Sequence, residues 1–198
     1  MKWATAVRHV HSLAEACAER ADRPAGDGSL RVTGLWAVGD LLGERRDLDW
    51  VRVALVVDLP PDEVPWFCTP PGAVRWAEST RLSKNPVTAW WRSARAPVWN
   101  HRIVRPALVW DVAGGLREGV VTALREGQGS DVGQASPSAR AYASRMADEL
   151  EVSLAALEAR TRDYDAQRWG RTPLERIADP LFDAALGYID VLGAQVSI

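Results

Sequence analysis

Cysteine is nearly absent. Cys17 and Cys68 are the only two in 198 residues, and they lack the Cys-x-x-Cys spacing of zinc and redox sites. A disulfide framework and a thiolate metal centre are not expected, and both residues read as small buried hydrophobes. Histidine is limited to His9, His11 and His101. His9 and His11 sit about 200° apart around a helix, so they cannot share a metal. No apolar run approaches the ~20 residues of a membrane helix. The N-terminal stretch MKWATAVRHVHSLAEACAER breaks every apolar segment with charge or histidine, which fits neither a signal peptide nor a span. Cytoplasmic location is the default expectation, with no membrane partner. An excess of one charge is also missing: 24 basic and 26 acidic residues leave a net charge of -2. That gives no global electrostatic case for nucleic acid. P-loop, GxGxxG, HExxH and zinc spacings are absent, so no metal ligand set is expected.

What the chain does have is tryptophan and arginine. Ten tryptophans are present, six of them from Trp66 to Trp110. Their first reading is bulky core, because large apolar side chains are usually buried. A sharper reading is an aromatic-lined groove for a ring-shaped ligand or a peptide. Lys2 and Lys84 are the only lysines, so arginine carries nearly all positive charge. Arg92, Arg95, Arg102 and Arg105 lie among the tryptophans, where they line an anion site or lie along the surface.

With 47% hydrophobic residues, the chain can bury a core without a disulfide or metal. Trp3, Ala6, Val7, Val10, Leu13, Ala14, Cys17 and Ala18 recur at helical spacing, and the stretch 23–29 ends that helix. LRVTGLWAVGDLL and VRVALVVDL, between Leu30 and Leu59, read as two central strands. In the second, Val51, Val53, Leu55 and Val57 form one face while Ala54 and Val56 make the other apolar too, as in mid-sheet. Residues 60–100 read as an excursion of short helices and loops: AVRWAESTRL as a helix and VTAWWRSAR as a turn or helix. HRIVRPALVWD reads as a third strand, and because Pro106 lacks an N–H it lies at a sheet edge or starts near 107. LREGVVTALREG follows as a helix after Gly114 and Gly115.

The polar stretch 127–136 is the expected domain boundary. It separates an α/β domain (1–126) from a C-terminal antiparallel helical hairpin (137–198) packed on it. Ser136-Pro137 is the expected start of the first helix of the pair. Thr172 opens a capping box for the second, which Pro180 is expected to kink or restart. The fold class is therefore α/β (α+β), a small mixed sheet with flanking helices plus that hairpin.

The order of strand ending in Gly39-Asp40, charged connection, strand, and later strand ending in Asp111 resembles the nucleotidyltransferases, over residues 30–111. In that superfamily a Gly-Ser turn holds nucleotide phosphate, and three strand-end carboxylates hold a divalent metal. Here Gly39 matches, Asp40 replaces the serine, and Arg52 and Ala54 occupy the acid-pair positions. Asp47 and Asp49 do form an acid-x-acid pair, about five residues too early, and Asp111 fits the third carboxylate. The simplest reading of Asp47 and Asp49 is a solvated strand connection. Almost the whole chain is also similar to an actinobacterial family of unknown function, through KWATAV, LWAVGD, VALVVDLP, DEVPW, TRLSKNP, APVWNHRIVRP and GYIDVL. That resemblance implies no activity.

Catalytic candidates are thus Asp47, Asp49, Asp111 and His101. His101 is a general-base candidate without an accompanying serine or cysteine elbow, and its simpler reading is a hydrogen-bonded structural histidine. Binding candidates are Gly39, Asp40, Arg102 and Trp110. The expected function is a catalytically degenerate nucleotidyltransferase-like binding or regulatory module without a cofactor, with a nucleotide or protein partner. One alternative is a structural or protein-interaction domain, a homodimer through the hairpin being one form. The other is an active enzyme in which Asp47, Asp49 and Asp111 hold Mg²⁺.

Overall fold

The computed structural model describes residues 1–21, 30–170, 173 and 175–196. The expected loop at 23–29 and the Thr172 cap lie outside the described residues. Helix α1 spans Trp3–Ala21, and strands β1 (Val32–Val38) and β2 (Val51–Val57) follow. Next come α2 (Ala73–Ser79), β3 (Val87–Ser93), β4 (Ala107–Asp111) and the short β5 (Gly115–Leu116). Helices α3 (Glu118–Glu126), α4 (Ala139–Gln167) and α5 (Glu175–Val196) complete the chain. The five strands form one mixed sheet in the order β3-β2-β1-β4-β5, with only the β2–β3 pair parallel.

Residues 87–93 form a strand where a turn or helix was expected. β-branched Val87 and Thr88 and the paired tryptophans Trp90 and Trp91 favour the pleated surface. In register, Trp90 stands beside Ala54 and Trp91 beside Leu55. Strand β4 begins at Ala107, immediately after Pro106. Helix α4 starts two residues later than Ser136-Pro137 suggested, because Ser138 is the cap: its Oγ accepts from the Ala141 N–H at 3.2 Å. Pro180 lies inside α5, which continues through it. At the sixth residue of the helix it forfeits one i→i−4 hydrogen bond without ending the helix.

Three layers result. Val51, Val53, Leu55 and Val57 of β2 face α1, where they meet Val7, Val10 and Leu13, and α2 and α3 close the same side with Trp76, Val121 and Leu124. Trp3 crosses this core, and its indole donates to the Leu124 carbonyl at 2.8 Å. Ala54 and Val56 face the other way, towards Met146 of α4 and Val191 of α5. Helices α4 and α5 pack along one another and, with a connection of only 168–174, return antiparallel. Contact with the segment after β2 is close: a Cβ at Gly187 would lie 2.1 Å from the Trp66 carbonyl oxygen. The outer face of α5 leaves Phe182, Leu186, Ile189 and Val196 exposed. Among the described residues no helix is long and apolar enough to cross a membrane.

Candidate functional site: the seam between sheet and hairpin

The carboxylates picked from the sequence do not converge. Asp47 and Asp49 are exposed in the connection leading into β2, near the end of β1 where Val38 pairs with Arg52. Asp111 lies at the opposite end of β1, beside Gly34. Four residues of strand separate those registers, about 13 Å at ~3.3 Å per residue, too far for shared metal bonds. Among the described residues no group of three or more acidic, histidine or cysteine side chains is placed to hold a metal.

Asp111 and Asp40 each hold local structure together. Asp111 Oδ1 accepts from the Ala113 and Gly114 amides, and Oδ2 accepts from Arg117 Nη2 at 2.7 Å. Burial alone would raise its pKa, but Arg117 and the turn amides hold it below the usual carboxylate range. Asp40 pairs with Arg46 at 2.8 Å and Arg52 at 3.4 Å. Gly39 has φ +64, so it supplies the left-handed turn at the end of β1. Trp110 is buried in the α1-side core. Burial pushes the Cys17 thiol up to about 12 and the Cys68 thiol to about 11, which keeps both protonated and inert.

His101 and Arg102 do come together, on a partner that the sequence left unmarked. Asp190 of α5 accepts from His101 Nε2 at 2.7 Å, from the Trp66 indole at 2.9 Å, and from the Arg102 guanidinium. Because a carboxylate only accepts, His101 Nε2 carries the proton. Burial works to raise the Asp190 pKa, but the donors Arg102, Trp66 and His101 outweigh it and hold it at about 2. Trp66 is the centre of this cluster. Its ring lies 5.3 Å from Trp90, 5.7 Å from His101 and 5.5 Å from the Arg92 guanidinium carbon.

A second cluster lies deeper. Glu149 of α4 is buried and accepts from Arg92 Nη2, from Arg145 Nη2 at 2.6 Å and from Asn100 Nδ2 at 3.2 Å. Arg92 Nε also donates to the Val98 carbonyl at 3.0 Å. Burial would raise the Glu149 pKa, yet the two arginines and Asn100 bring it below the normal value. The Asn100 carbonyl oxygen accepts from the Arg102 and Ile103 amides, so one side chain fixes both the loop and the acid.

Both clusters tie the loop around His101 to the hairpin helices. His101 Nδ1 is buried and has no hydrogen-bond partner among the described residues. Among the described residues no serine or cysteine hydroxyl or thiol is hydrogen-bonded to the ring.

Beside them lies an open groove of about 390 Å³. Trp99, Ile103, Val104 and Pro106 form one wall, while Pro137, Ala139 and Tyr142 at the start of α4 form the other. Trp99 and Tyr142 stack at 6.4 Å with 12° between their planes. A cleft lined by His101, Arg102 and Asp190 adjoins it and shares Tyr142.

Sequence reasoning found His101, Arg102 and the tryptophans but missed Trp66, Glu149 and Asp190 as partners. The available signal was a lone acid in the apolar run GYIDVL, where a charge needs a counter-charge.

One family model, described as a domain of unknown function (DUF7711), matches residues 1–197. The chain belongs to this family. No curated protein and no solved structure gives a significant match. The DUF7711 chain therefore takes its functional reading from its own geometry. In that geometry the polar clusters and the aromatic groove share one seam, between the sheet and the hairpin.

Proposed function

We propose that this DUF7711 protein is a non-catalytic binding module that holds a small organic ligand in the groove beside the stacked Trp99 and Tyr142. One observation carries the reading: a groove of about 390 Å³, walled by aromatic and apolar side chains, sits on a rigid hydrogen-bonded frame. That size and lining suit a small molecule. The order of elements from β1 to β4 supports a nucleotidyltransferase-like ancestry, and the separation of Asp111 from Asp47 and Asp49 supports loss of metal-dependent transfer.

Two measurements test the reading. The neutral fluorescent ring compound N-phenyl-1-naphthylamine is expected to bind the full chain saturably, and Trp99→Ala is expected to weaken it while the chain still unfolds in one cooperative transition. Incubation with nucleoside triphosphates and Mg²⁺ is expected to give no turnover. Turnover abolished by Asp111→Asn would contradict the proposal.

A second reading, self-association, is favoured by the stripe Phe182, Leu186, Ile189 and Val196 on α5. An apolar helix face can bury itself against a second copy about a two-fold axis. Light scattering after size exclusion is expected to give a dimer for the wild type and a monomer for Ile189→Arg. A monomeric wild type removes this second reading.

A further inference from the structure

The four arginines among the tryptophans differ in how their charge is answered. Arg92 pairs with Glu149, Arg95 with Asp58 at 3.7 Å, and Arg102 with Asp190. Arg105 has no carboxylate partner among the described residues. Its guanidinium donates instead to two carbonyl oxygens, from Nη2 to Ser130 at 3.0 Å and from Nε to Gln134 at 3.4 Å. Those bonds fix its position through neutral carbonyl oxygens rather than a counter-charge.

The backbone holds Arg105 in place as well. It adopts φ +46, a conformation costly for a residue with a side chain. Pro106 follows it, and the Gln134 amide donates to the Pro106 carbonyl at 2.9 Å. Gly133 permits the close approach, since a Cβ there would lie 2.5 Å from the Arg105 carbonyl oxygen. Arg105 is thus held at the groove, the only charged residue lining it among the described residues. The adjoining cleft contrasts with this, because Asp190 already answers Arg102 there.

We infer that the groove takes a planar ring compound bearing one anionic group, with the anion on Arg105 and the ring against Trp99 and Tyr142. A guanidinium fork matches carboxylate, sulfonate or phosphate oxygens, and aromatic walls match a ring. The inference rests on the groove being the binding site, and it adds the ligand's charge.

Two dyes of one skeleton separate the two claims. 8-Anilinonaphthalene-1-sulfonate carries the anion, and N-phenyl-1-naphthylamine lacks it. Titrated into the full chain, the sulfonate is expected to bind about tenfold tighter than the neutral dye, as a charge-assisted contact allows. Arg105→Ala is expected to erase that difference, and Arg105→Lys to restore part of it, with unfolding midpoints unchanged. Trp99→Ala is expected to weaken both dyes. Equal affinities for the two dyes in wild type and Arg105→Ala would overturn the anion inference, while the groove would stand if Trp99→Ala still weakened both. Affinities untouched by Trp99→Ala, or no saturable binding of either dye, would overturn the groove and the inference together.

Discussion

The two faces of the sheet are built by different rules. Towards α1 the core is hydrocarbon and indole: Val7, Val10, Leu35, Leu55 and Trp110 meet with a single indole donor crossing among them. Towards the hairpin, the buried polar and charged residues are Arg92, Ser93, Asn100, Glu149 and Ser153. Apolar burial stabilises in proportion to area but fixes orientation weakly. A buried ion pair contributes little net stability and is unforgiving about geometry. The α1 face therefore holds the fold together. The hairpin face sets how α4 and α5 sit, and with them the walls of the groove.

The sharpest way to break this contrast is to remove one buried charge. Glu149→Ala leaves the buried Arg92 and Arg145 facing each other without their shared carboxylate, an expected loss of about 3–5 kcal/mol by urea unfolding. Leu55→Ala on the apolar face is expected to cost a comparable 2–5 kcal/mol or so. Only the first is expected to alter dye binding in the groove.

Gly187→Ala is expected to come next, at about 3 kcal/mol, because the new Cβ meets backbone at Trp66. Near-ultraviolet circular dichroism should report the displaced indole.

Asp190→Asn is expected to cost about 2 kcal/mol at neutral pH. Its pKa is depressed in the fold, so its contribution is present above the unfolded carboxylate range near 4 and is lost as pH falls towards about 2. Wild-type unfolding free energy should fall across that window, and the variant's should fall less. Leu55→Ala should keep the wild-type slope. The smallest effects belong to Asp47→Asn and Asp49→Asn, within about 0.5 kcal/mol, as for solvated positions generally.

Much of the fold was legible because local periodicity carries it. The stripe of α1, the two-sided apolar run of β2 and the start of β4 after Pro106 all follow from spacing and proline chemistry. Strand β3 was not legible. Trp90 and Trp91 are adjacent and apolar on opposite faces, so the segment lacks alternation, and its partner strand β2 lies a crossover away. At the site, His101, Arg102 and Arg105 were recognisable as charged residues among tryptophans. Their partners were not, because His101 meets Asp190 across 89 residues and Arg92 meets Glu149 across 57. Nothing local specifies such pairs. The Asp47, Asp49 and Asp111 reading failed to converge for the matching reason: motif spacing says nothing of which end of the sheet a strand end occupies.

The account stands or falls on where a ligand lands. Amide and indole chemical-shift mapping of the full chain, titrated with 8-anilinonaphthalene-1-sulfonate, locates it directly. The expected perturbations fall on Trp99, Ile103, Arg105 and Tyr142. Perturbations clustered instead at Asp40, Asp47, Asp49 and Asp111 would contradict the account.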